Sequence, residues 1–226
     1  MNIIKNLFLF SVAAIITFCF PGPAPSGERL DGVLKGIYKM YGELPGLTVT
    51  YQREIITKSM AMLGDEMRSD IAAGRFLFKP PHYLKVEQDT PGQEIVTTDG
   101  ENIWWYIPEK NLVYQYPADK LGKEFLLLSD LFKGLNNAAE TFDITMSECE
   151  GDEVYDLQLI PREPWEGIDH IMLSVSSDDF NIKVFEIHNL IGGITRFRLG
   201  EFSELDSLER GDFIFVVPEG VEVVKE

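Results

Sequence analysis

Three histidines, two cysteines and several clustered carboxylates are the side chains of this sequence that could do chemistry, and their spacing supports little of it. His82, His170 and His188 lie far apart in the chain, and no H-x-x-x-H repeat puts two of them on one helix face, so zinc ligation has little support. His170 and His188 fall in alternating strand patterns and read as ordinary surface or core strand residues. The cluster Glu148, Glu150, Asp152, Glu153 and Asp156 has the ligand type calcium needs but not the EF-hand spacing, and reads as a solvated turn. Asp178-Asp179 likewise reads as a hairpin tip. Cys149 has no cysteine or histidine beside it and reads as a passive thiol. No G-x-S-x-G, Walker loop or G-x-G-x-x-G is present, and no carboxylate pair can be assigned as acid and base. Catalysis is therefore not expected, nor is a metal or other cofactor.

Composition sets the next limits. The chain has 226 residues, 45% hydrophobic, 12% aromatic and 25% charged, which is an ordinary globular balance. Twenty Lys and Arg against 37 Asp and Glu give a net charge of −17. That excess argues against a nucleic-acid partner, whose phosphates need a basic face, and against adsorption to anionic lipid. The first 26 residues read as a secretory signal peptide: Met1 to Lys5 are a short positive start, residues 6–20 are apolar, and small residues Ala24 and Ser26 precede Gly27, where cleavage is expected. The apolar run is short for an uncleaved anchor. Cys19 is preceded by bulky Phe18, so it makes a poor lipidation site. Cleavage would leave Cys149 as the only thiol and rule out an internal disulfide, so stability must come from the core. A single domain over residues 27–226 is expected.

The elements that must position the remaining residues follow from periodicity. Leu30, Val33, Leu34, Ile37, Tyr38 and Tyr41 recur at helical spacing over 28–42, with Glu28 and Asp31 at the positive end of the helix and Leu44-Pro45-Gly46 as its stop. Alternation with period two then takes over. Val49 and Tyr51 begin one strand, Phe76 and Phe78 lie in another, and Leu84 and Val86 follow the Pro80-Pro81 break. Further strands are predicted at 94–98, 102–107, 112–116, 141–148, 154–160, 168–176, 181–188, 194–202 and 213–217, with turns at Thr98-Asp99-Gly100 and Gly192-Gly193. One island, 120–136, has helical spacing instead, with Phe125, Leu128, Leu131 and Phe132 on one face and Leu126, Leu127 and Leu135 widening it. Such a helix is either fully buried or covers something apolar. The pattern indicates a barrel or half-barrel. Residues 103–107 and 171–175 are apolar on both faces, so the barrel either closes on its own side chains or holds an apolar cavity; pattern alone leaves both open.

Residues 74–116 carry a resemblance. They contain Lys79-Pro80-Pro81, Leu84 and Val86, then Asp99, Gly100, Ile103, Trp104, Tyr106 and Pro108. This run resembles the periplasmic outer-membrane lipoprotein carrier family, LolA, in which a Lys-Arg-Pro strand end precedes Asp-Gly-x-x-hydrophobic-Trp-x-Tyr-x-Pro. The two helices and a late Phe213-x-Phe215-x-x-Pro218-x-Gly220-Val221 segment fall in the family's order. The resemblance implies an α+β fold: an unclosed, strongly curved antiparallel β-barrel with a helical lid over an apolar cavity. It implies a monomer that takes lipoproteins from an inner-membrane ATP-binding-cassette release complex, shields their acyl chains across the periplasm, and delivers them to an outer-membrane receptor. An envelope sensor or interaction domain, or a carrier of free lipid or glycolipid, would use the same fold. The cavity wall expected from it is Phe76, Phe78, Leu84 and Val86, joined by Trp104 and Tyr106. Ile37 and Tyr41 of the first helix and Leu127 and Leu128 of the second would lie opposite, and Phe125, Leu131 and Phe132 would form the lid. One departure stands out: the family's lid-latching Arg is replaced by Pro80, with Arg75, Lys79 and His82 as nearby substitutes. The segment 57–73 is also longer than the family pattern, and Met60 and Met62 in it are read as a flexible apolar rim.

Overall fold

Nearly every run of alternating residues in the sequence becomes a strand of one sheet. The computed structural model describes residues 26–58, 70–118, 123–147 and 153–225; the side chains of Ser26 and of 123–126 fall outside that description. The expected signal segment 1–25, Met60, Met62, Cys149, Glu148, Glu150 and Asp152 also lie outside the described residues.

Helix α1 (Ser26–Tyr41) carries the stripe read from the sequence. It is followed by β1 (Leu47–Ile56), β2 (Asp70–Lys79), β3 (Tyr83–Thr90), β4 (Glu94–Thr98), β5 (Asn102–Ile107) and β6 (Leu112–Pro117). The helical island forms α2 (Lys123–Phe132), with a single-turn helix α3 (Ala138–Thr141) after it. The second meander is β7 (Phe142–Met146), β8 (Val154–Pro161), β9 (Ile168–Ser176), β10 (Ile182–Asn189) and β11 (Ile194–Glu204), and β12 (Glu222–Lys225) ends the order.

The sheet order is β12-β6-β5-β4-β3-β2-β1-β11-β10-β9-β8-β7, an open curved sheet with β12 and β7 at its edges. Every pair is antiparallel except β12 with β6, a short parallel pair at one edge. In the sheet the two meanders are joined by the pairing of β1 with β11. The chain therefore passes from β6 near one edge to β7 at the other through α2 and α3, which pack on the concave face.

The expected strand at 213–217 is not formed. Arg210–Phe213 is instead a 3-10 turn, and the chain beyond it is an irregular strap along the convex face until β12. Thr97 Oγ1 donates to the Phe213 carbonyl at 3.1 Å, and Phe213 is buried against Tyr83 at 5.6 Å between ring centroids. Phe-x-Phe alternation serves such a strap as well as it serves a strand, because both rings need only face the sheet. The strap also resolves how some strands can be apolar on both faces: helices cover the concave side and the strap covers part of the convex side. No helix among the described residues is long and apolar enough to cross a membrane.

Candidate functional site

The concave face is built by strand alternation. Leu47 and Val49 of β1 sit opposite Phe78 and Phe76 of β2, which in turn oppose Leu84 and Val86 of β3. On the other side of β1, Tyr51 faces Leu199 of β11, and Phe197 faces Phe185 of β10. Rings link these strands: Tyr51 stacks on Phe76 at 4.4 Å, Phe185 on Phe197 at 4.4 Å, and Phe197 lies 5.9 Å from Phe76. Burying such a side chain is worth about 1.5–3 kcal/mol.

The helices close over this wall. Phe132 of α2 lies 5.7 Å from Phe76 and 5.8 Å from Phe78. Leu127, Leu128 and Leu131 are buried in the same cluster, as are Ile37 and Tyr41 of α1. The fit between helices depends on Gly134, at φ 73°, which lets the chain after α2 approach the α1 backbone at Ile37 and Tyr38. Tyr41 adds a polar tie. Its hydroxyl donates to Asn181 Oδ1 at 3.3 Å and accepts from the Ile182 backbone N–H at 3.1 Å, joining α1 to the turn between β9 and β10. Burial pushes the Tyr41 phenol up to about 12, against the opposing Ile182 hydrogen bond and with Asp179 adding to the rise. A side chain at Gly36 would collide with the Phe180 ring, so α1 seats closely on that turn as well.

Of the residues named from sequence, Ile37, Tyr41, Phe76, Phe78, Leu84, Leu127, Leu128, Leu131 and Phe132 gather in one buried cluster with Val86 packed against it. The side chain of Phe125 lies outside the described residues. Trp104 and Tyr106 do not join this face. The register Val96↔Trp105 and Thr98↔Ile103 turns Ile103, Trp105 and Ile107 inward, and leaves Trp104 and Tyr106 on the convex side, each 5.7 Å from Phe215 of the strap. In a strand apolar on both faces, composition cannot choose the face; only register can. Trp105, which the sequence reading passed over, is the inward ring, and its Nε1 donates to Glu94 Oε2 at 2.9 Å. Tyr51, Phe185 and Phe197 were also missed as a group, since pairing rather than spacing unites them.

The three proposed stand-ins for the missing Arg fare differently. Arg75 points to the convex face and donates to Glu87 at 2.6 Å, where Lys85 also reaches at 2.9 Å. Burial raises the Glu87 carboxyl, but the hydrogen bonds and charges of Lys85 and Arg75 outweigh it and hold the group below its ordinary range. Lys79 shares that strand parity, opposite Tyr83. His82 is exposed in the turn, its ring 4.6 Å from Tyr83.

His170 and His188, distant in sequence, are direct cross-strand neighbours whose rings stack at 4.3 Å on the convex face. His170 pairs with Asp169 at 2.7 Å and His188 with Glu186 at 2.9 Å. Among the described residues no group of three or more His, Cys, Asp or Glu side chains is placed to hold a metal.

An open curved sheet whose concave apolar face is covered by helices defines the class. The family model described as outer membrane lipoprotein carrier protein LolA matches residues 62–216, and the chain belongs to that family. Similar proteins include the outer-membrane lipoprotein carrier protein of Methylobacillus flagellatus, 24% identical over 94% of this chain and 98% of the relative. That of Pseudomonas aeruginosa is 25% identical over the full length of both. The solved structure of an uncharacterized conserved protein from Thermus thermophilus shares the fold, with a TM-score of 0.55, 14% identity, and coverage of 88% of this chain and 99% of that one.

Proposed function

We propose that this chain is a periplasmic chaperone that receives lipoproteins from an inner-membrane release complex, holds their acyl chains against the concave face, and delivers them to an outer-membrane receptor. The single observation that carries the reading is the pairing of wall and cover: Phe132 of α2 rests on Phe76 and Phe78, so cargo and cover compete for one apolar surface.

That competition gives a carrier the affinity it needs. At about 0.8 kcal/mol per buried CH₂, one sixteen-carbon chain is worth roughly 12 kcal/mol. Two or three such chains fully buried would pass the practical ceiling of about 18–21 kcal/mol and would not be released. Displacing α2 offsets part of that gain. The reading includes removal of residues 1–26 during export.

Native mass spectrometry of protein purified from periplasm tests the proposal. The expected spectrum contains adducts with the masses of lipoproteins or acylated peptides, and a synthetic triacylated lipopeptide should displace an apolar dye from the purified protein. Adduct-free protein that leaves the dye in place when the lipopeptide is added would reject the carrier role.

A further inference from the structure

Among the described residues, Arg53 presents a buried Nε with no hydrogen-bond partner on the side of the apolar wall. Arg53 follows Tyr51 by two residues on β1, so it shares the concave face; across the ladder it opposes Phe197 on one side and Ala72 on the other. Its neighbour Glu54 faces the other way and takes Arg196 and Arg198, each at 3.2 Å, so the convex ion-pair network leaves Arg53 out. Arg53 is half-buried, its Nε is fully buried with no hydrogen-bond partner, and no ion pair reaches it among the described residues. A guanidinium does not lose its proton, so burial cannot neutralise it as it would a lysine or histidine. A buried donor left unmade is unfavourable, and the ordinary solution is a partner.

The surroundings define what that partner must be. Phe197, Tyr51 and Phe76 form a continuous aromatic path from Arg53 into the covered part of the wall. Burial pushes the Tyr51 phenol up to about 12, with Arg53 opposing the rise and Asp89 and Glu94 adding to it, so its hydroxyl stays neutral. Glu94 is engaged by Trp105. These two acids, and a chain charge of −17, repel a free anion. That field favours an anion carried by an apolar tail over a free one.

We infer that Arg53 is the headgroup anchor of the concave site and that the site takes acyl amphiphiles carrying a carboxylate or phosphate oxyanion, the tail lying along Phe197, Tyr51 and Phe76. This rests on the reading of the concave face as an acyl-binding wall. It goes further by assigning the wall a second ligand class, acidic lipids, beside the uncharged diacylglyceryl and N-acyl groups of a lipoprotein.

Binding of hexadecanoate, hexadecyl phosphate, hexadecanol and inorganic phosphate, measured by calorimetry on the protein and on Arg53→Gln and Arg53→Lys, tests it. The two anionic amphiphiles should bind about tenfold or more tighter than hexadecanol, as expected for a charge-assisted hydrogen bond. Arg53→Gln should remove that preference while leaving hexadecanol unchanged, and Arg53→Lys should restore part of it. The urea midpoint of Arg53→Gln should not fall, because a charge without a partner is being removed. Equal binding of anion and alcohol by the unaltered protein, a preference that survives Arg53→Gln, or comparable binding of inorganic phosphate would each overturn the anchor. Hexadecanol binding with no anion preference would leave the carrier reading standing and remove only the anchor. Absence of binding by all three amphiphiles would remove both.

Discussion

At the scale of single residues, Tyr41 shows how a stripe residue acquires a second role. Its ring belongs to the apolar face of α1, which the periodicity of 30–41 made legible. Its hydroxyl partners, Asn181 and Ile182, lie about 140 positions away on the β9–β10 turn, and no spacing rule connects them. Tyr41→Phe keeps the ring and strips the buried Ile182 N–H of its acceptor, so a loss of about 1–3 kcal/mol in urea denaturation is expected. An unchanged midpoint would mean that the tie contributes nothing. Asp179 fixes Asn181 by accepting from its backbone N–H at 3.0 Å and its Nδ2 at 2.6 Å. What little burial it has raises its carboxyl, but the Asn181 and Ser176 hydrogen bonds and the Lys183 charge prevail and hold it at about 2. A depressed carboxylate stabilises the fold above its unfolded value near 4 and stops doing so as pH falls through about 2. The stability gap between the protein and Asp179→Asn should therefore be constant above pH 5 and shrink between about 4 and 2. A gap that stays constant through that window would show that Asp179 does not titrate against folding. Trp104 marks the limit of reading single residues: a one-residue difference in parity separates it from Trp105, and only the pairing of β4 with β5 decides between them.

At the scale of elements, α1, α2 and most strands were legible because one face of each is buried, and burial imposes a period. The strap after β11 was not, because its hydrogen bonds go to a side chain, Thr97, and to its own 3-10 turn rather than to a ladder. That Pro80 stands where the resemblance implies a latching Arg was legible; the packing around α2 was not. Its apolar contacts with Phe76 and Phe78, and the close approach at Gly134, belong to that packing. Gly134→Ala tests the second. Alanine at φ 73° is strained by roughly 1–2 kcal/mol, and its methyl group would meet the backbone of α1 at Tyr38. The empty variant should keep its β circular dichroism and bind an apolar dye more strongly than the unaltered protein. Unchanged dye binding would place the hold on α2 elsewhere.

At the scale of the whole molecule, the class of fold was legible from the count and spacing of strands, while the way its two halves are joined was not. The β1·β11 ladder spans residues 47–56 and 194–204, and nothing local in either strand announces the other. The covalent joint between β6 and β7 is the crossover that carries α2, so the segment that covers the wall is also the strap binding one meander to the other. Cutting that joint need not separate the pieces, because the fragment ending at 118 keeps β1 and β6, and the fragment beginning at 123 brings β11 and β12 to pair with them. A protease site inserted between 118 and 123 should thus give a nicked protein that runs as one species on gel filtration and separates only in denaturant. Expressed separately, the two pieces should reassemble by fragment complementation. The nick would free one end of α2 from its tether, so the reassembled protein should exchange cargo faster than the intact chain while holding the same sheet.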